Sequence, residues 1–212
     1  EIAKLTRVST SPDPSLVVIY GRRRCGKSTL LQHIAKKTDI YFLADQQEAP
    51  LQIQGLAVEI GRAIPGFGQV NYPSWEVLFS ALQRQAQSGT TLILDEFPYL
   101  VQKSPELPSV IQKLIDSQKN RTNITICGSS QRMMQGLVLD GSAPLYGRAA
   151  EIIKVRPLEP GWIKEALTLN SIEAIEAYSV WGGVPRYWEL ARVFRNQEEA
   201  CKELVLDRDG VL

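Results

Sequence analysis

Five short segments of the chain are apolar throughout, rich in β-branched residues and bounded by turn residues, which is typical of buried β-strands. They cover residues 16–20, 39–44, 90–95, 123–128 and 151–155. Between them, helical periodicity predicts helices over residues 27–37, 50–63, 74–87, 107–118 and 131–137. Because fully apolar strands that alternate with helices favour a parallel sheet covered on both faces, we predict a three-layer α/β domain with a five-stranded sheet over residues 1–156.

Beyond residue 156 every predicted element is a helix. The helices cover residues 159–168, 171–181, 185–194 and 196–206. In the second of them Ile172, Ile175 and Tyr178 recur at helical spacing, and Gly182 stands where a C-terminal cap is expected. We therefore expect residues 157–212 to form a small helical subdomain packed against the sheet domain. The last residues are expected to begin a further C-terminal region.

Composition excludes some classes of protein and favours others. The 212 residues include 24 Lys and Arg against 23 Asp and Glu, a net charge of +1, so no overall field marks a nucleic-acid or membrane binder. No apolar run is long enough to span a membrane, and the first residues do not form a signal peptide. Three cysteines without metal-ligand spacing fit a reducing cytoplasm. A single histidine, His33, gives little support to histidine-based metal chemistry or to a Ser-His-Asp triad.

The segment GRRRCGKS, residues 21–28, follows the first predicted strand and opens the first predicted helix. Gly21 and Gly26 allow backbone conformations that a Cβ would forbid, so successive N–H groups can point inward and hold an anion at the positive end of the helix. Lys27 adds a positive charge for the β- and γ-phosphates, and Ser28 offers a hydroxyl to Mg²⁺. We therefore predict a loop that binds the phosphates of a nucleotide, rather than an ordinary surface turn.

The variable positions of this glycine loop belong to the predicted binding set, with alternatives for each. The three arginines could contact phosphates, or they could point to solvent and to neighbouring acids. Cys25 is small enough to act only as a filler. The full predicted nucleotide-binding set in this segment is Gly21, Arg22, Arg23, Arg24, Cys25, Gly26, Lys27, Ser28 and Thr29.

Two acidic residues end the third predicted strand, in the segment TTLILDEFPYL. Asp95 is expected at the carboxyl edge of the sheet, where α/β proteins place their ligands, and it can hold the Mg²⁺ that Ser28 contacts. Glu96 follows and can orient and deprotonate an attacking water. The alternative is that the Asp-Glu pair only caps the end of a strand.

The fourth predicted strand ends in Gly-Ser-Ser, which places Ser129 and Ser130 at the same edge of the sheet. A hydroxyl at that position could contact the attacking water or the γ-phosphate. Equally, one of the two serines could cap the helix that begins near Gln131. Both roles are compatible if they fall to different serines.

Together these motifs resemble the archaeal-type AAA ATPases, relatives of the AAA+ and STAND proteins in the additional-strand, catalytic-glutamate division of P-loop NTPases. The resemblance rests on GRRRCGKS as Walker A, LILDE as Walker B, and on CGSS, PLYGR, VRPLEP and WGGVPRYW, and it spans Val17 to Trp188. It implies a P-loop NTPase fold in which a further strand separates the two Walker strands, followed by a helical lid. The Gly-Arg-Glu segment and the C-terminal winged-helix and nuclease-like regions of relatives are not found, which fits a fragment of a longer chain.

The resemblance also implies roles for individual residues. Lys27 and Ser28 would bind phosphate and magnesium, Asp95 magnesium, Glu96 the attacking water, and Ser129 or Ser130 would act as the sensor. These assignments make Glu96, Lys27, Ser129 and Arg148 the candidate catalytic residues.

Two further positions come from the resemblance alone. Pro185, with Gly183, would lie near the adenine of the nucleotide. Arg148 in LYGR is a candidate arginine finger or sensor, because a guanidinium can neutralise charge on the transferring phosphoryl group. Its alternative is a local salt bridge to Glu151.

We expect a cytoplasmic, Mg²⁺-dependent ATPase, with ATP and Mg²⁺ as its cofactors, that couples nucleotide state to movement of the helical lid. The first alternative is a STAND-like nucleotide switch that rarely hydrolyses ATP and engages a protein or DNA partner. The second is a small-molecule kinase, which the Asp-Glu pair disfavours. A homo-oligomer is compatible with this interpretation, and no membrane partner is expected.

Overall fold

The structure, a computed structural model, describes residues 1–9, 14–117 and 122–212. The described chain divides into two compact units. The sheet unit comprises Glu1–Gly21 and Lys27–Lys154, and the helical unit comprises Arg22–Gly26 and Val155–Leu212. The predicted domain boundary after residue 156 stays a prediction.

A five-stranded sheet lies at the centre of the sheet unit, and all five predicted strands are confirmed. Their spatial order is β2-β3-β4-β1-β5, so β4 separates β1 from β3, as the resemblance implies. The β1–β4, β2–β3 and β3–β4 pairs are parallel. The strands are β1 Leu16–Gly21, β2 Ile40–Leu43, β3 Thr90–Asp95, β4 Thr122–Gly128 and β5 Ala149–Val155.

Helices accompany the strands, and the five predicted helices of this unit are confirmed. The helix predicted over 107–118 ends at Asp116 in the structure, and residue 118 lies outside the described residues. Two short helices, α1 and α5, were not predicted. The helices are α1 Ile2–Ser9, α2 Lys27–Ile34, α3 Ala49–Ala63, α4 Trp75–Gln85, α5 Phe97–Lys103, α6 Leu107–Asp116 and α7 Gln131–Val138, with a 3₁₀ turn at Phe67–Gln69.

Packing in the sheet unit follows from the apolar strands. β1 and β4 are buried along their whole length, as strands covered on both faces must be. Trp75, at the start of α4, is 2% exposed, and its indole Nε1 donates a hydrogen bond of 2.7 Å to the buried Ser104 Oγ. Burial of this aromatic side chain therefore leaves its polar atom satisfied.

The helical unit contains the four predicted helices. They are α8 Pro160–Leu167, α9 Ser171–Trp181, α10 Pro185–Ala191 and α11 Gln197–Cys201, and α11 continues into a π-helical turn at Lys202–Leu206. Asn170 starts α9 through a capping box with Glu173, and Gly182 ends it with a φ of 55°. The C-terminal cap predicted at Gly182 is confirmed.

The buried face of α9 is not the isoleucine stripe that marks this helix in the sequence. Ile172 and Ile175 are 71% and 68% exposed, whereas Ala174, Ala177 and Trp181 are buried. The core of this unit therefore combines four alanines with two tryptophans, one isoleucine and one leucine. Its buried members are Ile163, Ala174, Ala177, Trp181, Trp188, Ala191, Ala200 and Leu204.

The backbone of Gly183 approaches that of Leu158 closely. The Leu158 N–H donates to the Gly183 carbonyl oxygen at 2.7 Å, and a Cβ on Gly183 would lie only 2.0 Å from the Leu158 carbonyl oxygen. A glycine is therefore needed at this position of the GGVP segment for steric reasons in the helical unit itself.

We expect Gly183→Ala to lower the free energy of unfolding by at least about 2 kcal/mol, because the added methyl group overlaps backbone that cannot yield without moving. The matched control is Gly161→Ala in α8, where a Cβ meets nothing within 4 Å. That change should be neutral or stabilising by up to about 1 kcal/mol, since alanine favours a helix. Urea unfolding followed by tryptophan fluorescence measures both, and equal stability of the two variants would contradict the steric argument.

Candidate active site

Three strands of the sheet unit end at the same edge of the sheet. β1, β3 and β4 are neighbours, and their last residues are Gly21, Asp95 and Gly128. The register pairs Tyr20 with Gly128, so the ends of β1 and β4 are level. Because parallel strands finish together, this edge collects the polar residues that follow each strand, and it is the edge where α/β sheets bind ligands.

Asp95 is the most enclosed acidic residue at this edge, with 1% exposure. Its Oδ2 accepts one hydrogen bond from Ser28 Oγ at 2.7 Å and another from Tyr41 Oη at 2.6 Å. Its Oδ1 accepts from the Glu96 N–H at 2.9 Å. The structure thus brings together the two predicted magnesium ligands, Ser28 and Asp95, and several donors stabilise the buried charge.

The sequence analysis assigned no role in the site to Tyr41 or to Cys127. Burial and then the hydrogen bond to Asp95 raise the pKa of Tyr41, so its hydroxyl keeps the proton that it donates. Cys127 is 0% exposed, and burial followed by the charge of Asp95 raises the pKa of its thiol. Both groups therefore stay protonated beside Asp95. The only sequence signal for Tyr41 is that this tyrosine lies in a predicted strand, which the structure pairs with the strand that ends in Asp95.

The glycine loop contains two residues with left-handed backbone, Arg24 with a φ of 65° and Gly26 with a φ of 85°. Arg22, Arg23 and Arg24 are exposed, whereas Cys25 is 4% exposed. The burial of Cys25 fits the filler alternative, and the exposure of the arginines fits both alternatives given for them.

Lys27 is the first residue of α2, and only 6% of it is exposed. Ser28 and Thr29 follow in the first turn of the same helix, and both are exposed. The first turn of a helix carries N–H groups without helical partners and the positive end of the dipole. The structure therefore places the predicted lysine, serine and threonine where an anion is favoured.

Glu96 has left-handed backbone dihedrals, φ 53° and ψ 41°, at the residue between β3 and α5. Its carboxylate Oε2 accepts hydrogen bonds from the Ser129 hydroxyl at 3.0 Å and from the Ser129 N–H at 3.3 Å. The two residues that sequence analysis proposed for water activation and sensing are thus in direct contact. Non-glycine residues rarely adopt a positive φ, so the surrounding structure must impose this backbone conformation on Glu96.

The second serine behaves differently. Ser130 occupies the N-cap position of α7, but its side chain makes no capping hydrogen bond. Its carbonyl oxygen accepts from the Met134 N–H at 3.0 Å. The capping hydrogen bond left open for one of the serines is therefore not made by Ser130, while the hydroxyl of Ser129 contacts Glu96.

Gly128 allows these groups to meet. A Cβ at this position would lie 2.6 Å from Pro98 Cδ and 2.8 Å from Met134 Sδ. Only glycine lets the end of β4 pass between the start of α5 and the body of α7. The glycine of CGSS thereby fixes where Ser129 stands relative to Glu96.

Arg148 does not pair with Glu151, and that alternative was wrong. Its guanidinium binds Asp116 through Nε and Nη2, both at 2.9 Å, and Nη1 donates to the carbonyl oxygens of Pro144 and Tyr146. Glu151 accepts instead from Lys4 Nζ at 2.7 Å. The hydrogen bonds from Arg148 lower the pKa of Asp116. The arginine-finger role of Arg148 stays a prediction.

Pro185 begins α10 in the helical unit, where the fixed φ of proline suits the first turn of a helix. It lines a cavity of about 450 Å³ together with Trp162 and Trp188. Glu165, Glu189 and Arg192 also line this cavity. Its position near adenine stays a prediction.

A magnesium ion fits the residues at the sheet edge. In the ranges that the structure describes, no group of three or more His, Cys, Asp or Glu side chains could hold a metal ion by itself. Mg²⁺ does not need one when a nucleotide is bound, because it keeps several waters and takes one or two protein oxygens beside the phosphates. The hydroxyl of Ser28 and the carboxylate of Asp95 are hard oxygen donors only 2.7 Å apart.

The described helices include none with the length and apolar character that a membrane span requires.

The chain matches the model of a protein family over residues 1–191, and that family is described as an ATPase domain predominantly from Archaea. An uncharacterized protein from Methanocaldococcus jannaschii is 31% identical over 198 residues. The match covers 91% of this chain and 43% of that relative, so the chain spans less than half of its length.

Several solved structures share the fold. The Orc1 protein of Aeropyrum pernix, solved in complex with DNA, has a TM-score of 0.62 at 16% identity, covering 91% of this chain and 57% of that one. The Orc2 protein of the same organism, solved as ADPNP–ADP complexes, has 0.60 at 16%, covering 97% and 61%. A STAND protein with a tetratricopeptide repeat sensor from Pyrococcus horikoshii has 0.60 at 14%, covering 90% and 29%.

At these identities the structural matches show the fold alone, which is the α/β fold of AAA+ P-loop ATPases with a parallel five-stranded sheet. The predicted fold class is therefore confirmed. The family match covers most of the chain and agrees with the glycine loop, the Asp95–Glu96 pair and the strand order. The chain belongs to the family of ATPase domains found predominantly in Archaea.

Proposed function

We propose that the chain binds and hydrolyses ATP with Mg²⁺ and couples its nucleotide state to movement of the helical unit as a lid. The observation that carries the proposal is the 2.7 Å contact between Ser28 Oγ and Asp95 Oδ2, beside Glu96. It joins the first turn of the helix after the glycine loop to the strand end that holds two carboxylates. Membership of the ATPase family supports the same reaction.

Binding of the triphosphate falls to the glycine loop and the start of α2. Backbone N–H groups of the loop and the charge of Lys27 attract the β- and γ-phosphates. Ser28 and Asp95 would hold Mg²⁺, which supplies positive charge to the phosphate oxygens as charge develops there. The near-complete burial of Asp95 keeps its charge little screened by water.

Glu96 is the base in this proposal. A carboxylate accepts the proton of the attacking water and orients that water for displacement at the γ-phosphate. The two hydrogen bonds from Ser129 hold one carboxylate oxygen of Glu96, Oε2, in place. Ser129 thus links the position of the carboxylate to the end of β4.

A nucleotide switch with little hydrolysis is the second candidate. The contact between Glu96 and Ser129 favours it, because a carboxylate already engaged by two donors is less free to serve water. Fold similarity to a STAND protein with a repeat sensor is compatible with this function.

Partners other than ATP belong to regions outside this chain in our proposal. Orc1 of Aeropyrum pernix was solved in complex with DNA, so DNA is one class of partner in the proposal and a protein is the other. A homo-oligomer in the cytoplasm completes the proposal. The net charge of +1 gives a DNA role no independent support.

We expect Glu96→Gln to leave ATP affinity within about three-fold of wild type and to lower the single-turnover rate at least roughly 100-fold, because a general base is lost while the phosphate site is kept. Lys27→Ala should weaken ATP binding at least roughly ten-fold, since a charge-assisted contact is removed. Calorimetry and quenched-flow hydrolysis measure the two quantities.

The matched control for Glu96→Gln is Glu106→Gln, an exposed acidic residue before α6, which should alter neither quantity. Unchanged turnover in Glu96→Gln would contradict the assignment of the base. Affinity unchanged by Lys27→Ala would contradict the whole site. Slow turnover in the wild type, with tight nucleotide binding, would select the switch.

Arg148 can be tested through its partner. Every hydrogen bond that Arg148 makes here lies within the sheet unit, so we expect Arg148→Ala and Asp116→Asn to lower the free energy of unfolding by similar, small amounts, because the pair is partly exposed. Turnover should stay within about two-fold in both. A loss of turnover confined to Arg148→Ala would instead assign an arginine finger.

The same pair predicts a pH dependence of stability. Asp116 has a lowered pKa in the folded protein, so its contribution is complete above the ordinary carboxyl pKa and disappears as pH falls through the lowered value. The difference in stability between wild type and Asp116→Asn should therefore vanish in acid and persist at neutral pH. Urea unfolding at a series of pH values measures it, and a difference that grew in acid would contradict the assignment.

A further inference from the structure

Tyr41 reaches the candidate metal site from the strand next to Asp95. It lies in β2, whose neighbour in the sheet is β3, and the register places Tyr41 opposite Ile93, two residues before Asp95. Ile40 and Phe42 on either side of it are buried, whereas Tyr41 is half-buried. Its ring therefore lies on the other face of the strand, and its hydroxyl extends to the sheet edge.

The hydroxyl of Tyr41 and that of Ser28 share one atom. Both donate to Oδ2 of Asp95, at 2.6 Å and 2.7 Å. A carboxylate oxygen has two lone pairs, so these two donors fill the hydrogen-bonding capacity of Oδ2. The other oxygen, Oδ1, accepts a hydrogen bond from the backbone N–H of Glu96, whereas the hydroxyl of Ser28 donates to Oδ2.

This sharing matters for a metal ion held beside Ser28. A Mg²⁺ ion keeps several water molecules when it binds with a nucleotide, and those waters donate to nearby carboxylates. A water on an ion at Ser28 would need an acceptor position on Oδ2, the oxygen that Ser28 already contacts. Ser28 can bind the ion through a lone pair while its proton stays on Asp95, so the donor that must leave is Tyr41.

Resting on the proposed function, we propose that Tyr41 is a positioning residue that sets the Mg²⁺ affinity of the site. Its hydroxyl occupies a position on Asp95 Oδ2 that a water on the ion would need, and it orients the carboxylate toward Ser28. Metal binding would cost this hydrogen bond, so the hydrogen bond would oppose metal binding by stabilising the metal-free site. Without the metal, Tyr41 and Ser28 fill the hydrogen-bonding capacity of Asp95 Oδ2. The site therefore binds Mg²⁺ less tightly than its ligands alone would allow.

The experiment measures metal affinity through nucleotide binding, without turnover. The affinity of the full chain for a non-hydrolysable ATP analogue is determined by calorimetry from EDTA up to millimolar free Mg²⁺, which gives the Mg²⁺ midpoint of the enhancement. Tyr41→Phe should lower this midpoint roughly three- to ten-fold, the effect of one hydrogen bond. Its affinity for the analogue in EDTA should stay within about two-fold of wild type.

Two variants serve as controls. Ser28→Ala also removes a hydrogen bond to Asp95, but it removes a proposed metal ligand as well, so its Mg²⁺ midpoint should rise. If both side chains only held Asp95 in place, the two variants would shift the midpoint in the same direction. Tyr72→Phe removes another tyrosine hydroxyl hydrogen bond in the sheet unit, to the Phe67 carbonyl oxygen at 3.2 Å, and should not shift the midpoint.

The outcomes separate this inference from the proposed function. A midpoint that is unchanged or raised in Tyr41→Phe, with the expected rise in Ser28→Ala, overturns the role of Tyr41 and leaves the ATPase proposal standing. Wild-type binding without any dependence on Mg²⁺, or without any affinity for the analogue, contradicts the proposed function itself. Circular dichroism and unfolding midpoints of the three variants show whether each one folds.

Discussion

The site depends on one buried carboxylate. Asp95 stands at the end of a central strand with almost no exposure, and a charge in that position is tolerated only where donors surround it. Those donors come from different elements: Ser28 from α2, Tyr41 from β2 and the N–H of Glu96 at the start of α5. Satisfying this charge therefore ties three elements to the end of β3.

The second constraint is steric and lies next to the first. Gly128 ends β4 in contact with Pro98 and Met134, with no room for a Cβ. This close approach brings Ser129 within hydrogen-bonding distance of Glu96. Backbone packing at Gly128 therefore helps to position Glu96, the proposed base, whereas hydrogen bonds to its charge position Asp95, the proposed metal ligand. Different interactions thus hold the two carboxylates of the Asp-Glu pair.

The sequence was informative where a pattern is local. The strands could be predicted because each is apolar along its length, and the glycine loop because its spacing is fixed by phosphate geometry. Contacts between distant positions were out of reach: Tyr41 and Asp95 are 54 positions apart, and Arg148 and Asp116 are 32 apart. Glu151 is the acid nearer to Arg148 in the sequence, but tertiary packing brings Arg148 to Asp116 instead.

Helices were predicted less completely. α1 and α5, with 8 and 7 residues, were missed although α10, also with 7 residues, was predicted, so length alone does not explain the omission. α9 is apolar on more than one side, so periodicity identified the helix without identifying its packed face. Ala174 and Ala177 let neighbouring helices approach closely, which leaves the isoleucines outside.

The backbone of Glu96 carries a consequence for how this domain could change over generations. A left-handed conformation favours glycine and asparagine over glutamate, so selection for thermal tolerance alone would draw position 96 away from the acid that the proposed chemistry requires. In a randomised library, survivors of heating should accumulate Gly and Asn at this position, whereas survivors of a screen for phosphate release should keep Glu. Durability and turnover would then be opposing demands on a single residue.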